Sequence, residues 1–166
     1  MLQPVVRRTW APKGQTPIHY SWDRRDRLSA VSAISVSPRN KRLGLYFGLQ
    51  DTNICADDFE QFASQLFAHF QKGVILVIDR WMVHRSAVGR LKKRFRRRFC
   101  VEWLPAYAPE LNPVEGVWNR SKYVDLANYI PEDVCELGRA VCRSLRHTGS
   151  EQKLLRSFFK HAKLRL

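Results

Sequence analysis

Two carboxylates stand where an oxygen-seeking cation could be held. Asp79 closes the apolar run Val74-Ile75-Leu76-Val77-Ile78, and Glu115 lies 36 positions further on, just inside a helix that Asn112-Pro113 opens. Carboxylates fixed on separate rigid elements at one edge of a sheet suit Mg²⁺ or Mn²⁺, hard cations that accept a phosphate in the same coordination shell. The two residues also have ordinary roles: a strand-end Asp closes a turn, and the helix dipole favours an acidic residue in a first turn. Spacing alone leaves both readings open. His84, five positions after Asp79, could orient a phosphate or a metal-bound water, or hydrogen-bond backbone from a loop. Asn112 suits the N-cap of the Glu115 helix, and its amide could also steady that carboxylate.

The elements that must position these residues follow from periodicity. Leu28 to Ser35 alternates apolar residues with Ser, and Pro38-Arg39-Asn40 turns the chain into a second strand, Leu43 to Leu49, predicting a hairpin. Asp57 and Asp58 begin a helix in which Phe59, Phe62, Ala63, Leu66, Phe67 and Phe70 recur at helical spacing, with Gly73 past its end. Val74 to Ile78 predicts a strand buried on both faces, with Asp79 at the end where open α/β sheets build their sites. A loop holding His84, a basic helix from Ala87 to Phe99 and a strand from Cys100 to Leu104 follow. Beyond the proline-stiffened loop Pro105 to Pro109 come the Glu115 helix and two more, Pro131 to Arg146 and Glu151 to Ala162. The order predicts a mixed α/β domain with the Asp79 strand in the middle of its sheet. Residues 1–27 read as an extended arm, 28–145 as the core and 146–166 as a C-terminal helix.

A chain of 166 residues fits one domain, and 45% apolar content excludes a disordered basic tail. Its 29 Lys and Arg against 15 Asp and Glu leave a net charge of +14, which draws polyanions, nucleic acid first and an anionic membrane surface second. Lys92, Lys93, Arg94, Arg96, Arg97 and Arg98 concentrate that charge close to Asp79, as a solvated face or as sequence-blind phosphate contacts, the latter favoured by a neighbouring phosphodiester chemistry. Arg7, Arg8, Lys13, Arg24, Arg25 and Arg27 could extend the surface. Trp10, Trp22 and Trp81 could stack on bases; Trp103 and Trp118, flanked by core-like residues, are expected to pack, and Tyr107 is open. No apolar run approaches the roughly 18 residues of a membrane span, and no secretory leader is present. Cys55, Cys100, Cys135 and Cys142 lack metal-knuckle spacing and read as reduced thiols, with Cys135 and Cys142 sharing a buried helix face.

The wording around the two acids is more specific than the acids. Leu104-Pro105-Ala106-Tyr107-Ala108-Pro109-Glu110-Leu111-Asn112-Pro113-Val114-Glu115-Gly116-Val117-Trp118 closely resembles the Leu-Pro-x-Tyr-Ser-Pro-x-Leu-Asn-Pro-Ile-Glu-x-x-Trp signature of DDE-type transposases, the mariner-like bacterial insertion-sequence family. Val77-Ile78-Asp79-Arg80-Trp81-Met82-Val83-His84 is similar to that family's second-Asp motif, and Arg8-Thr9-Trp10-Ala11-Pro12-Lys13-Gly14 to its N-terminal block. The resemblance implies an RNase H-like fold whose three carboxylates hold two Mg²⁺ or Mn²⁺ ions, cutting transposon ends and joining them to target DNA. By motif position Asp79 is the second Asp and Glu115 the Glu, with His84 and Asn112 supporting them. A dimer on paired DNA ends and a cytoplasmic, nucleoid-associated setting are implied by the resemblance alone.

One departure matters. The family's first catalytic Asp ends its first, central strand just ahead of the residues matching Leu2-Gln3-Pro4, a position before Met1; Asp23 and Asp26 are the nearest carboxylates and fall after the Trp-Ala-Pro block. The expectations are very weak or absent catalysis by this chain alone, unpaired edges where the central strand would lie, and a destabilised fold. No helix-turn-helix precedes the first hairpin, so DNA affinity is expected to be general and salt-sensitive. A non-catalytic nucleic-acid-binding relic and an RNase H-like nuclease acting on an RNA-containing substrate are the rival readings.

Overall fold

The computed structural model describes residues 5–18, 27–70 and 72–166; Trp22, Asp23, Arg24, Arg25 and Asp26 lie outside them, as do Leu2, Gln3 and Pro4. The expected hairpin forms: β1 (Ser29–Val36) and β2 (Leu43–Gln50) pair antiparallel from Ser29 opposite Gln50 to Val36 opposite Leu43. Strand alternation sends Val31 and Ala33 to one core cluster and Ala30 and Ile34 to another, so this sheet is covered on both faces. Helix α1 (Ala56–His69) starts where Asp58 Oδ2 accepts the Cys55 N–H at 2.7 Å, and buries Phe59, Ala63, Leu66 and Phe67.

A parallel unit follows, β3 (Val74–Ile78), α2 (Met82–Phe95) and β4 (Phe99–Trp103), with Val74 opposite Phe99 and Ile78 opposite Trp103. Helix α2 begins five residues before the expected start, so His84 sits on a helix, not in a loop. The reason is a four-residue apolar repeat, Val83, Ala87, Leu91 and Phe95, which packs on the α1 cluster from between the Arg and Lys residues. It also ends early: Arg96 takes φ 29°, and Arg96, Arg97 and Arg98 form the turn into β4.

Two expectations for β3 are corrected. Its sides differ, for Ile75 and Val77 are 69% and 56% exposed while Val74, Leu76 and Ile78 face α1 and α2, so helices cover one face only. Nor is β3 central: the hydrogen-bonded orders are β1-β2 and β3-β4, two separate two-stranded sheets. Both rest on one helical layer, the cluster of Phe59, Phe67, Leu91 and Phe99 receiving Val31 and Ala33 from one sheet and Val74, Leu76 and Val101 from the other. Among the described residues no strand pairs with the second edge of β1 or of β3.

After a 3₁₀ turn at Pro109–Leu111, α3 (Pro113–Arg120) runs into a π-helical turn at Ser121–Asp125, then α4 (Val134–Ser150) and α5 (Gln152–His161). Helix α4 starts later than expected because Asp133 is its cap, accepting the Glu136 N–H at 2.6 Å. Its buried stripe is Leu137, Val141 and Leu145, packed with Val117, Leu126 and Leu28 in a second core. Cys135 is exposed and Cys142 half-buried, so the expected shared buried face is not formed; the Leu-Val-Leu stripe lies to the side of both, and the four thiols are free. Trp103 and Trp118 pack against the first and second cores, as expected. The described part of the arm, residues 5–18, has no helix or strand and is held where Val5 bridges Ala127 and the Arg7 N–H donates to Asn128 Oδ1 at 2.7 Å. No helix among the described residues is long and apolar enough to cross a membrane.

Candidate active site

Asp79 is the first residue beyond β3, and two donors fix its carboxylate. The Trp81 N–H reaches Oδ1 at 3.0 Å, and His84 Nδ1 donates to the same oxygen at 2.7 Å across one turn of α2. The imidazole is itself clamped, its ring 4.4 Å from that of Phe59 and edge-on to Trp81 at 5.3 Å. His84 is therefore mostly covered (17% exposed) while Asp79 stays half open to solvent (50%). A clamped donor that leaves its carboxylate accessible is how a metal-ligating or phosphate-facing acid is held in one orientation.

Glu115 is brought to the same edge from the other side. The Leu104 N–H donates to the Ile78 carbonyl at 2.8 Å and Arg80 Nε donates to the Leu104 carbonyl at 3.3 Å, tying the Asp79 loop to the strand end that leads towards α3. Asn112 caps α3 as expected, its Oδ1 accepting the Val114 N–H at 3.2 Å, which puts Glu115 in the first turn. Burial, and then the negative charge of Asp79, raise the Glu115 carboxyl above the usual glutamate value. The two acids, 36 residues apart in sequence, thus share one field.

That coupling has a sign. A carboxyl whose folded-state value lies above its unfolded value gives stability that is present below the unfolded value and lost as pH rises through the folded one. Glu115→Gln is therefore expected to raise the melting temperature at pH 7 by a few degrees, about 2–4 °C for each kcal/mol in a domain of this size, and to change little near pH 4. Thermal melts of both chains across pH 4–8 check it; a gain equal at both ends would show that ionisation is not its source.

The donors fit an oxygen-preferring cation in kind but not in number. Two carboxylates repelling one another are relieved by Mg²⁺ or Mn²⁺, yet among the described residues no group of three or more His, Cys, Asp or Glu is placed to hold a metal. The expectation that the basic run lies close to Asp79 is corrected. Lys92, Lys93, Arg94, Arg96 and Arg97 are exposed, with Arg94 lying over the Phe95 ring, but they sit at the C-terminal end of α2 and the turn into β4. That is the opposite end of the ladder from Asp79, because the 14-residue helix carries them away from it. Arg98 is engaged otherwise, donating to the Phe67 and Phe70 carbonyls at 2.9 and 2.8 Å and so closing the C-terminus of α1. Arg90, on the same helix, bonds Asp57 and Glu60 of α1 at 2.6 Å each. Sequence reasoning missed the parts played by Trp81 and Phe59; the Asp-Arg-Trp order carried a signal for the first, and only the packing of α1 on α2 reveals the second.

Comparison with known proteins bears on the family and the fold. A family model described as DDE superfamily endonuclease matches residues 1–134. The crystal structure of the Mos1 strand transfer complex superposes with a TM-score of 0.52 at 17% identity, covering 98% of this chain and 50% of that one. At that identity the likeness speaks for the fold, the expected mixed α/β, RNase H-like one, and this chain spans half the length of the Mos1 chain it matches. No curated protein matches the sequence. With four-fifths of its length matched by the family model and the motif acids held at one edge, the chain belongs to the DDE superfamily endonuclease family.

Proposed function

We propose that this chain is the catalytic domain of a DNA transposase, cleaving phosphodiesters at transposon ends and transferring them to target DNA in the cytoplasm. The observation that supports it is the placement of Asp79 at the end of β3 and Glu115 in the first turn of α3, where the Asp79 charge helps hold the Glu115 carboxyl above the usual value. Asp79 and Glu115 would hold Mg²⁺ or Mn²⁺, which when bound lowers the pKa of an attacking water or 3′-hydroxyl and neutralises charge on the phosphate. His84 and the Trp81 N–H keep Asp79 oriented, and Asn112 fixes the turn bearing Glu115. Lys92, Lys93, Arg94, Arg96 and Arg97, at the other end of α2 from Asp79, would hold the DNA backbone at a distance from the acids. A second copy on the paired DNA end belongs to the same reading. That two acids, and no third, meet there among the described residues supports the further reading that the chain alone binds DNA and cleaves it very weakly.

Mn²⁺ titration followed by electron paramagnetic resonance tests the assignment. We expect one weak site, abolished in Asp79→Asn and Glu115→Gln, and weakened about 10- to 100-fold in His84→Ala, the usual cost of removing a residue that orients a ligand. Retention of Mn²⁺ binding in both acid variants would sink it. A supercoiled plasmid nicked at background rate but bound in a salt-dependent manner would fit the incomplete site.

A further inference from the structure

Tyr107 is the anomaly of the site's rim. Its side chain is fully exposed, 101% by relative area, and its backbone sits at φ 57°. A bulky aromatic residue in the left-handed region is strained. The other non-glycine residues of positive φ among those described have local reasons: Lys41 turns the β1–β2 hairpin, Arg96 and Lys163 follow helix ends, and Asn is a type that tolerates the region. Tyr107 also sits in a turn, with Ala106, but unlike the others it is a bulky aromatic residue that the turn leaves wholly exposed between Pro105 and Pro109.

The ring's place is informative. Ile78 is opposite Trp103 in the β3–β4 ladder, so Asp79, Trp81 and Tyr107 all leave the same end of it. The Leu104 N–H to Ile78 bond and the Arg80 to Leu104 bond hold the two outgoing loops together. Trp81 is itself 51% exposed, with its N–H on Asp79 and its ring edge-on to His84. Two exposed aromatic residues thus leave the same end of the ladder as Asp79.

We infer that Tyr107 and Trp81 form a stacking platform for an unpaired nucleobase next to the phosphate that Asp79 and Glu115 face, an inference that rests on the DNA-directed reading above. Aromatic faces stack on any base, but only on one whose own faces are not covered by duplex neighbours. The substrate class is therefore DNA opened at the reacting position, a fork or a splayed end, in preference to continuous duplex.

The test uses the full chain, a forked duplex with 2-aminopurine at the first unpaired position and a blunt duplex of the same sequence. We expect the wild type to bind the fork about five- to 100-fold tighter than the duplex and to quench the 2-aminopurine. Tyr107→Ala and Trp81→Ala should each lose at least fivefold on the fork and less than twofold on the duplex, while Tyr107→Phe, which keeps the ring, retains both the preference and the quenching. Circular dichroism melts confirm that the variants fold. Equal losses on fork and duplex, or fork binding unchanged in Tyr107→Ala, overturn the platform while leaving the DNA reading intact. Failure of the wild type to bind either DNA overturns both.

Discussion

Gly116→Val should unfold the Glu115 side of the site. A Cβ built on Gly116 falls 2.6 and 2.7 Å from Cδ1 and Cγ of Phe158 and 3.0 Å from its Cβ, separations that real Cβ atoms essentially never show. Rotation about χ1 moves Cγ and Cδ1 but leaves Cβ at 3.0 Å, so Phe158 must leave its packed rotamer or α3 and α5 must separate. Over-packing of this kind costs about 1–3 kcal/mol. Gly116→Ala recovers about 1 kcal/mol of that through its better helix propensity, whereas Val recovers less and brings more volume. We expect Gly116→Val to lose about 3 kcal/mol, a fall of roughly 6–12 °C in melting temperature. Because Gly116 follows Glu115 directly, the displaced helix should also let water reach the carboxyl, and the pH dependence expected for Glu115 should flatten in this variant. Pairing Gly116→Ala with Phe158→Leu in a double-mutant cycle checks the mechanism. If Phe158→Leu does not recover stability in the Gly116→Ala background, close contact with α5 is not the reason for glycine here.

The acids were legible in the sequence because each is announced by its neighbours, Asp79 by a five-residue apolar strand and Glu115 by a proline in the first turn of a capped helix. The position of His84 was not, because the repeat of Val83, Ala87, Leu91 and Phe95 is diluted by charged residues between them, and the helix appeared to begin only where the basic run did. Nor was the cover over β3. A continuous apolar run says that a strand can be buried, and only the placement of α1 and α2 decides that Ile75 and Val77 are left outside. The same holds for Arg98, whose membership of a basic run gave no sign that it closes α1 through two carbonyls. Local signals fix elements and caps; pairing between distant segments fixes sheets. That is why the hairpin is legible in the sequence, whereas the division into two sheets, where one sheet with the Asp79 strand in its middle was expected, is not.

That division leads to the largest effect expected in this protein. Among the described residues β1 pairs only with β2 and β3 only with β4, yet Val31 and Ala33 of one sheet and Val74 and Leu76 of the other pack on a single core cluster. Among those residues the second edges of β1 and of β3 are unpaired, and Asp79 stands at the end of β3. Open strand edges are templates for pairing. An added β-strand of alternating Val and Ile, fused ahead of the arm and ending in Asp, would pair with both edges and bring a third carboxylate to Asp79 and Glu115. Burying even one such side chain is worth about 1.5–3 kcal/mol, so the melting temperature should rise by at least roughly 3 °C. Metal-dependent nicking of supercoiled DNA should rise at least about 100-fold over the chain alone, the scale on which single transition-state contacts act. The same strand ending in Asn separates the two contributions: it should keep the stability and lose the nicking. Stabilisation without nicking from the Asp strand would mean that the edges pair as argued but that Asp79 and Glu115 are not the partners of a third acid. No stabilisation from either strand would mean that the two sheets do not accept a strand between them, and the reading of this site as two acids of three would fall with it.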